Sequence, residues 1–226
     1  RERFGAAILL SRAGWSVALL ETHPFPRRKV CGECVAASNL PLLEALGIGA
    51  ALRRRAGPEL RRVAVWCAEE RIDAALPACT DGHRPWGRAM GREHLDLALL
   101  EQAGAAGATV LQPCKALAVR AEAGNAAYDV EAADVSLRAP VVIRAHGSWQ
   151  PPPADEPLWS RKRRPSDLLG FKATFRNVSL EEGLLPVFGI AGGYGGMVIA
   201  GDGLATLACC IRRDRLAMCR RRGAVQ

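Results

Sequence analysis

The hydrophobic positions near the start of the chain follow first one period and then another. Residues 6–13 have the apolar spacing of a helix, and Gly14 ends this helix as C-terminal glycines commonly do. The next run, WSVALLE, is short and almost continuously apolar, which predicts a parallel strand buried on both faces. A helix, a glycine turn and a strand in this order form the second half of a nucleotide-binding βαβ unit.

Both periods return farther along the chain. Two more helices are predicted: a short one over residues 42–46, ended by Gly47, and GREHLDLALLEQAGAAGA, which places Leu95, Leu99 and Leu100 on one side. Alternating runs predict strands. They are LRRVAVWCAEERIDAALP, as two strands with a tight turn, then TVLQPCKALAVRAEAG and YDVEAADVSLRAPVVIRAHG, as strands and a hairpin ending in the buried strand PVVIRA.

The last third of the chain begins with a linker, SWQPPPADEPLWSRKRRPSD, which is rich in proline and in charges of both signs. The strand LLGFKATFRNV, the glycine-rich FGIAGGYGGMVIA and a hairpin around Gly201-Asp202-Gly203 leading into LATLACCI follow it. This order predicts an α/β protein in which a Rossmann-like part is interleaved with a β-rich part. The Rossmann-like part would cover 1–56 and 90–150, and the β-rich part 57–89 and 151–226.

Composition narrows the classes of function. The 226 residues are 49% apolar, and no apolar run reaches the roughly 18 residues of a membrane span. No secretory leader precedes the first helix, so we expect a cytoplasmic protein. The net charge of +8 comes mostly from arginines that are scattered among acids, and aromatic residues make up only 5%. We therefore interpret the basic clusters as solvated surface and not as a nucleic-acid site.

Glu21 is the first candidate for chemistry. An acid at the end of the second strand of a dinucleotide fold accepts hydrogen bonds from a ribose hydroxyl pair. The alternative is a solvated acid at the end of a strand.

The loop RRKVCGEC carries two further patterns. Arg28 and Lys29 could face a pyrophosphate or the edge of a flavin, or could simply be solvated. Cys31 and Cys34 form a Cys-x-x-Cys pair, for which a zinc site, a redox dithiol and a close-packed loop are the three interpretations. No second ligand pair at comparable spacing is present, so we favour the close-packed loop and expect no bound metal. Nor do we expect a disulfide framework among the eight cysteines.

Two other features indicate a ligand. Arg92 stands at the N-terminal end of its predicted helix, where the helix dipole disfavours a cation, so either an anion lies opposite it or Glu93 neutralises it. The glycine cluster between Gly189 and Gly196 lacks the Gly-Lys-Ser/Thr ending of a phosphate loop. Tight strand packing or the close approach of a flat ligand would explain these glycines.

In succession, these stretches resemble the FAD-dependent oxidoreductases that include geranylgeranyl reductases and aromatic-ring monooxygenases. The matching pieces are AAILLSRAGWSVALLE, FPRRKVCGE, GREHLDLALLEQAGAAGA, VVIRAHGS and FKATF…GGYGGMV. They cover nearly the whole chain in the order and spacing of that family.

The resemblance implies roles for particular residues. Glu21 would bind the ribose of the FAD adenosine, and Arg28 and Lys29 would line the loop that passes the flavin. Cys31 and Gly32 would lie near the flavin ring. The remaining implied positions are Arg92, which would contact the cofactor from its helix, and the substrate-side residues Gly193 and Tyr194.

The resemblance also implies an activity: a FAD-dependent reductase or monooxygenase, reduced by NAD(P)H, that acts on a hydrophobic organic substrate. Counting back from Glu21, the third glycine of the family's G-x-G-x-x-G falls on Arg3, and Gly196 occupies the tryptophan place of the prenyl reductases. We therefore expect a fragment of a larger flavoprotein that is inactive alone and binds FAD weakly. The rival is a remnant or binding domain without flavin. A peripheral membrane contact and the oligomeric state stay open.

Overall fold

The computed structural model of the protein describes residues 2–79, 86–121, 127–147 and 163–221. It divides into two compact units. The first unit consists of Arg1–Arg27 and Asp96–Lys162, and the second unit consists of Arg28–Leu95 and Arg163–Gln226. Each unit is thus built from two separated stretches of sequence.

The described residues form five α-helices and fourteen strands. The helices are α1 (Glu2–Arg12), α2 (Leu40–Ala45), α3 (Gly49–Arg55), α4 (Arg92–Ala105) and α5 (Arg213–Arg221). The strands of the first half are β1 (Ala18–Leu20), β2 (Cys34–Val35), β3 (Glu59–Leu60), β4 (Arg62–Cys67), β5 (Glu70–Ala75), β6 (Gly87–Ala89) and β7 (Thr109–Leu111). Those of the second half are β8 (Ala116–Ala121), β9 (Tyr128–Ala132), β10 (Ser136–Ala139), β11 (Leu168–Phe175), β12 (Leu184–Ile190), β13 (Gly193–Ile199) and β14 (Ala205–Arg212).

The first unit contains the parallel pair expected of a nucleotide-binding fold. Strand β1 pairs in parallel with β7, with Leu19 opposite Val110. The strands β8, β9 and β10 form a separate antiparallel sheet. Most of the buried apolar side chains of the first unit come from α1, β1 and the part of α4 that belongs to it, among them Phe4, Ile8, Leu19, Leu99 and Ala103, and β9 adds Val130.

The second unit is dominated by one six-stranded sheet in the order β11-β14-β13-β12-β4-β5. All neighbours in it are antiparallel except β12 and β4, which are parallel. A smaller sheet, β2-β6-β3, forms around β6. Leu60, Ala89 and Val198 build a buried core cluster that joins the two sheets.

Much of the predicted fold is confirmed. The α/β class and the interleaving of a parallel Rossmann-like part with a β-rich part are both present. Leu95, Leu99 and Leu100 are all buried, as the helical period predicts. The turn at Gly201–Gly203 does connect an antiparallel pair, β13 and β14.

Two strand predictions need correction. PVVIRA forms no strand, and its Val141 and Ile143 are exposed. An apolar run becomes a strand only when another strand pairs with its backbone, and among the described residues none pairs with this one. WSVALLE is a strand only over Ala18–Leu20, and the expected burial on both faces is wrong because Ala18 and Trp15 are exposed.

Several short elements were not predicted: α3, α5, and the strands β2, β3 and β6. Each strand in this group has only two or three residues, too few for a period to show. Most of the predicted linker, residues 148–162, lies outside the described part of the chain. The four predicted segment boundaries stay a prediction, since compactness and ligand binding need not divide a chain at the same residues. In the described part, no helix combines the length and the apolar character needed to cross a membrane.

Candidate functional site

Glu21 lies where the sequence predicts it, directly after β1. Its backbone N–H donates to the Leu111 carbonyl at 3.0 Å, and its own carbonyl accepts from the Cys114 N–H at 2.8 Å, so the pairing with the β7 side continues past the strand end. Only 3% of Glu21 is exposed. The alternative of a solvated acid therefore does not describe this residue, because a buried carboxylate needs partners.

Both carboxylate oxygens of Glu21 already have partners within the first unit. The Arg3 guanidinium donates to Oε2, and the His23 backbone N–H donates to Oε1 at 3.1 Å. Arg3 also donates to the Ala145 carbonyl at 3.3 Å. Its guanidinium lies 4.7 Å from the centre of the Phe4 ring, which adds a cation–π contact. Arg3, which stands where the resembling family has its third glycine, thus donates to the carboxylate that a ribose hydroxyl would need as its acceptor.

The other predicted cofactor residues lie in the second unit, on the loop of residues 28–34. Arg28 is 68% exposed and forms an ion pair with Glu93 at 3.6 Å. A small pocket of about 240 Å³ lies beside this loop, and its lining is mostly cationic. It is lined by Arg28, Lys29, Val30, Lys172 and Thr174. Gly32 is exposed, and a Cβ added to it would meet nothing within 4 Å, so the loop has open space in front of it.

Sequence reasoning missed Glu33, whose carboxylate accepts from three different parts of the chain. It is only 2% exposed, and its carboxylate accepts from the Lys172 ammonium and from the Thr206 hydroxyl at 2.6 Å. It also accepts from the Arg92 backbone N–H at 2.9 Å. The backbone of Glu33 has φ 60°, a conformation that a non-glycine residue keeps only when its surroundings hold it there. A signal was available in Lys172, since a lysine inside an apolar strand needs an acid nearby.

The placement of Arg92 as the first residue of α4 is confirmed. The anion at this end of the helix is Glu33, and it is bound by the backbone N–H of Arg92. The first N–H groups of a helix have no partner within the helix. Glu33 supplies one for Arg92, and its negative charge suits the positive end of the helix dipole. Glu93 forms ion pairs with Arg28 at 3.6 Å and with Lys172 at 3.9 Å.

The register of the large sheet places Tyr194 on the face that the loop covers. Tyr194 lies opposite Cys210, and Cys210 lies opposite Gly170, so all three share one face. A Cβ on Gly170 would be 3.0 Å from Cγ1 of Val30, which shows how closely the loop approaches this face. Tyr194 itself is 55% exposed. The structure thus brings a predicted substrate-side residue and the predicted flavin loop to one face of the second unit.

Gly193 has a different reason for being glycine. A Cβ there would lie 2.2 Å from the Cys210 carbonyl oxygen, which is closer than any real side chain allows. Tight strand packing therefore explains this residue without a ligand.

The Cys-x-x-Cys pair lies at the end of the same loop. The Glu33 backbone N–H donates to Sγ of Cys31 at 3.3 Å. Desolvation raises the pKa of the Cys34 thiol above its ordinary value, and the nearby Cys31 raises it further. All eight cysteines, each within the described residues, are free thiols. The described residues contain no group of three or more metal-ligating side chains, and the expectation that Cys31 and Cys34 bind no metal stays a prediction.

Comparison with known proteins agrees with this geometry. No protein-family model matches the chain, and no curated protein matches it. Among solved structures, the myxobacterial chondrochloren halogenase CndH, a FAD-dependent halogenase, aligns with a TM-score of 0.73 and 19% identity over 96% of this chain. PqsL from Pseudomonas aeruginosa, described as a probable FAD-dependent monooxygenase, aligns with a TM-score of 0.72 and 21% identity over 95% of this chain. A geranylgeranyl bacteriochlorophyll reductase-like protein from Thermoplasma acidophilum aligns with a TM-score of 0.71 and 21% identity over 92% of this chain.

These alignments show the fold. The chain has the fold of FAD-dependent oxidoreductases, and the predicted structural resemblance is confirmed. The chain spans 52%, 59% and 53% of the lengths of these three proteins.

Proposed function

We propose that the chain is the nucleotide-binding and substrate-sheet portion of a FAD-dependent oxidoreductase. The observation that carries this proposal is the alignment of 92–96% of the chain with enzymes of this kind, across both units. The enzyme would be a reductase or monooxygenase with NAD(P)H as reductant. FAD, when bound, would supply the redox chemistry, and the protein would bind it, orient it and exclude water.

A hydrophobic organic substrate is supported by exposed apolar side chains on the same face of the large sheet, on strands away from the one that the loop contacts. Ile72, Val65 and Tyr194 are all exposed there, at 67%, 39% and 55%. The register relates them: Ile72 is opposite Val65, Val65 is opposite Val187, and Val187 is opposite Gly196, two residues from Tyr194. These side chains extend from the β5 edge of the sheet to β13, and an exposed apolar surface of this kind suits an organic molecule with little charge.

The residues present do not all fit FAD in this arrangement. Glu21 would have to accept from a ribose, but the Arg3 guanidinium lies on its Oε2 and the His23 N–H donates to its Oε1, so a ribose hydroxyl would have to share the carboxylate with Arg3 or displace it. We therefore expect this chain to be inactive alone and to purify without colour.

The same observation supports a second candidate function, a binding domain or remnant that no longer takes flavin. Riboflavin separates the two candidates because it carries the ring but no adenosine, so its binding does not need Glu21. If the proposal holds, the folded chain quenches the fluorescence of riboflavin. Gly32→Val should weaken this binding, since it fills the open space where the ring is expected, while leaving stability unchanged. A folded chain that quenches neither riboflavin nor FAD would favour the remnant.

A further inference from the structure

The pairing of Arg3 with Glu21 bears on how a nucleotide could reach the Glu21 carboxylate. We propose that Arg3 is an internal occupant of the nucleotide site, held on the ribose-binding carboxylate, and that an adenosine nucleotide binds only after the guanidinium has withdrawn. This inference rests on the proposed function for the role of Glu21 and goes beyond it by naming the residue that controls access.

Charge and burial explain why a ribose would not displace Arg3 easily. A guanidinium on a carboxylate makes charge-assisted hydrogen bonds, which are about twice as strong as those of a neutral hydroxyl. The Arg3 side chain is 22% exposed and Glu21 is 3% exposed, so Arg3 is the more solvent-accessible partner of the pair. Withdrawing it would uncover the carboxylate.

Contacts on two further sides hold Arg3 in this position. It donates to the Ala145 carbonyl and stacks on the Phe4 ring. Phe4 is itself fixed by an edge-on contact with Phe25, with ring centres 6.0 Å apart. Arg3 is thus anchored as an element of the fold and is not a surface side chain that happens to reach an acid.

A role as phosphate ligand would predict the opposite behaviour. If Arg3 bound the pyrophosphate, removing it would weaken nucleotide binding. As an internal occupant, its charge is already balanced by Glu21 and its removal should strengthen binding. The sign of one measurement therefore decides between these two roles.

The experiment compares ADP with 2′-deoxy-ADP, which lacks one ribose hydroxyl. Their dissociation constants would be measured by calorimetry for the unchanged chain, for Arg3→Ala and for Arg12→Ala. Arg12 is an exposed arginine at the other end of α1, so its variant removes the same charge from the same helix. The amide signal of His23, which donates to Glu21, reports by NMR whether the ligand reaches the carboxylate.

Arg3→Ala should bind ADP at least about tenfold more tightly than the unchanged chain and prefer it to 2′-deoxy-ADP about tenfold, as one charge-assisted hydrogen bond allows. Arg12→Ala should not bind ADP more tightly than the unchanged chain does. Glu21→Ala added to Arg3→Ala should remove the preference for ADP over 2′-deoxy-ADP. Equal or weaker binding by Arg3→Ala overturns the inference. Tight FAD binding by the unchanged chain overturns it while supporting the proposed function. Tighter ADP binding by Arg3→Ala in a chain that binds no flavin supports the inference about Arg3 and contradicts the proposed flavin function.

Discussion

The ammonium of Lys172 lies against the carboxylate of Glu33 inside the second unit, although 139 residues separate them in sequence. The Lys172 side chain is 8% exposed, so this ion pair is largely removed from water. The pair attaches the loop of residues 28–34 to β11. It therefore fixes the position of the loop that we expect to pass the flavin.

Lys172→Met should destabilise the second unit strongly. Removing one partner of a buried ion pair leaves the other charge uncompensated, at a cost of about 3–5 kcal/mol in the free energy of unfolding. Arg62→Met is the matched control, since Arg62 pairs with Glu181 at 2.8 Å on the surface and should lose at most about 1 kcal/mol. Urea unfolding measures both. Adding Glu33→Gln to Lys172→Met should recover part of the loss, and fully additive losses would contradict the pairing.

Thr206→Val tests the third partner of Glu33. Valine keeps the shape of threonine but leaves Oε2 of Glu33 without the hydroxyl that donates at 2.6 Å. Losing a hydrogen bond to a charged group in the interior should cost about 1.5–3 kcal/mol of unfolding free energy. Thr174→Val changes the residue directly across from it on β11, and it should cost clearly less because Thr174 does not donate to Glu33. Equal losses for the two variants would show that the hydroxyl of Thr206 contributes nothing particular.

A feature could be predicted from the sequence when residues close to it in the chain determine it, and could not when its partners lie far away in the chain. The position of Glu21 was predictable because it follows from the helix, turn and strand that immediately precede it. Glu33 was not, since its partners lie 59, 139 and 173 residues away and only the folded sheet brings them together. Arg3 was predicted to stand at a glycine position, but its contact with Glu21 depends on how α1 packs beside β1.

Strand predictions failed for a related reason. PVVIRA contains three β-branched residues and forms no strand, whereas YDVEAA contains only Tyr128 and Val130 as strand formers and still pairs on either side, with β8 and β10. Apolar composition thus predicts that a segment is able to form a strand, whereas pairing decides whether it does.

Alkylation of Cys34 should be slow at neutral pH. Desolvation, and then the neighbouring Cys31, raise the pKa of this thiol, so less of the reactive thiolate is present than in a free cysteine at the same pH. The rate with iodoacetamide, followed by mass spectrometry of the Cys34 peptide, should rise with pH and level off above the ordinary thiol pKa of about 8.5. Cys31→Ala should lower this midpoint. A midpoint at or below the ordinary thiol pKa of about 8.5 would contradict the assignment.

Two alanine substitutions separate glycines needed for the fold from those with open space. Gly193→Ala would place a Cβ 2.2 Å from the Cys210 carbonyl oxygen, and the strands must move apart to admit it. We expect a loss of at least about 1–3 kcal/mol in unfolding free energy, as for overpacked interiors. Gly32→Ala meets nothing within 4 Å and should change stability by less than about 0.5 kcal/mol. Since Gly32 has no structural reason to be glycine, a loss of riboflavin affinity in Gly32→Ala at unchanged stability would indicate that a ligand approaches it. A stability loss as large as that of Gly193→Ala would instead show that Gly32 serves the fold.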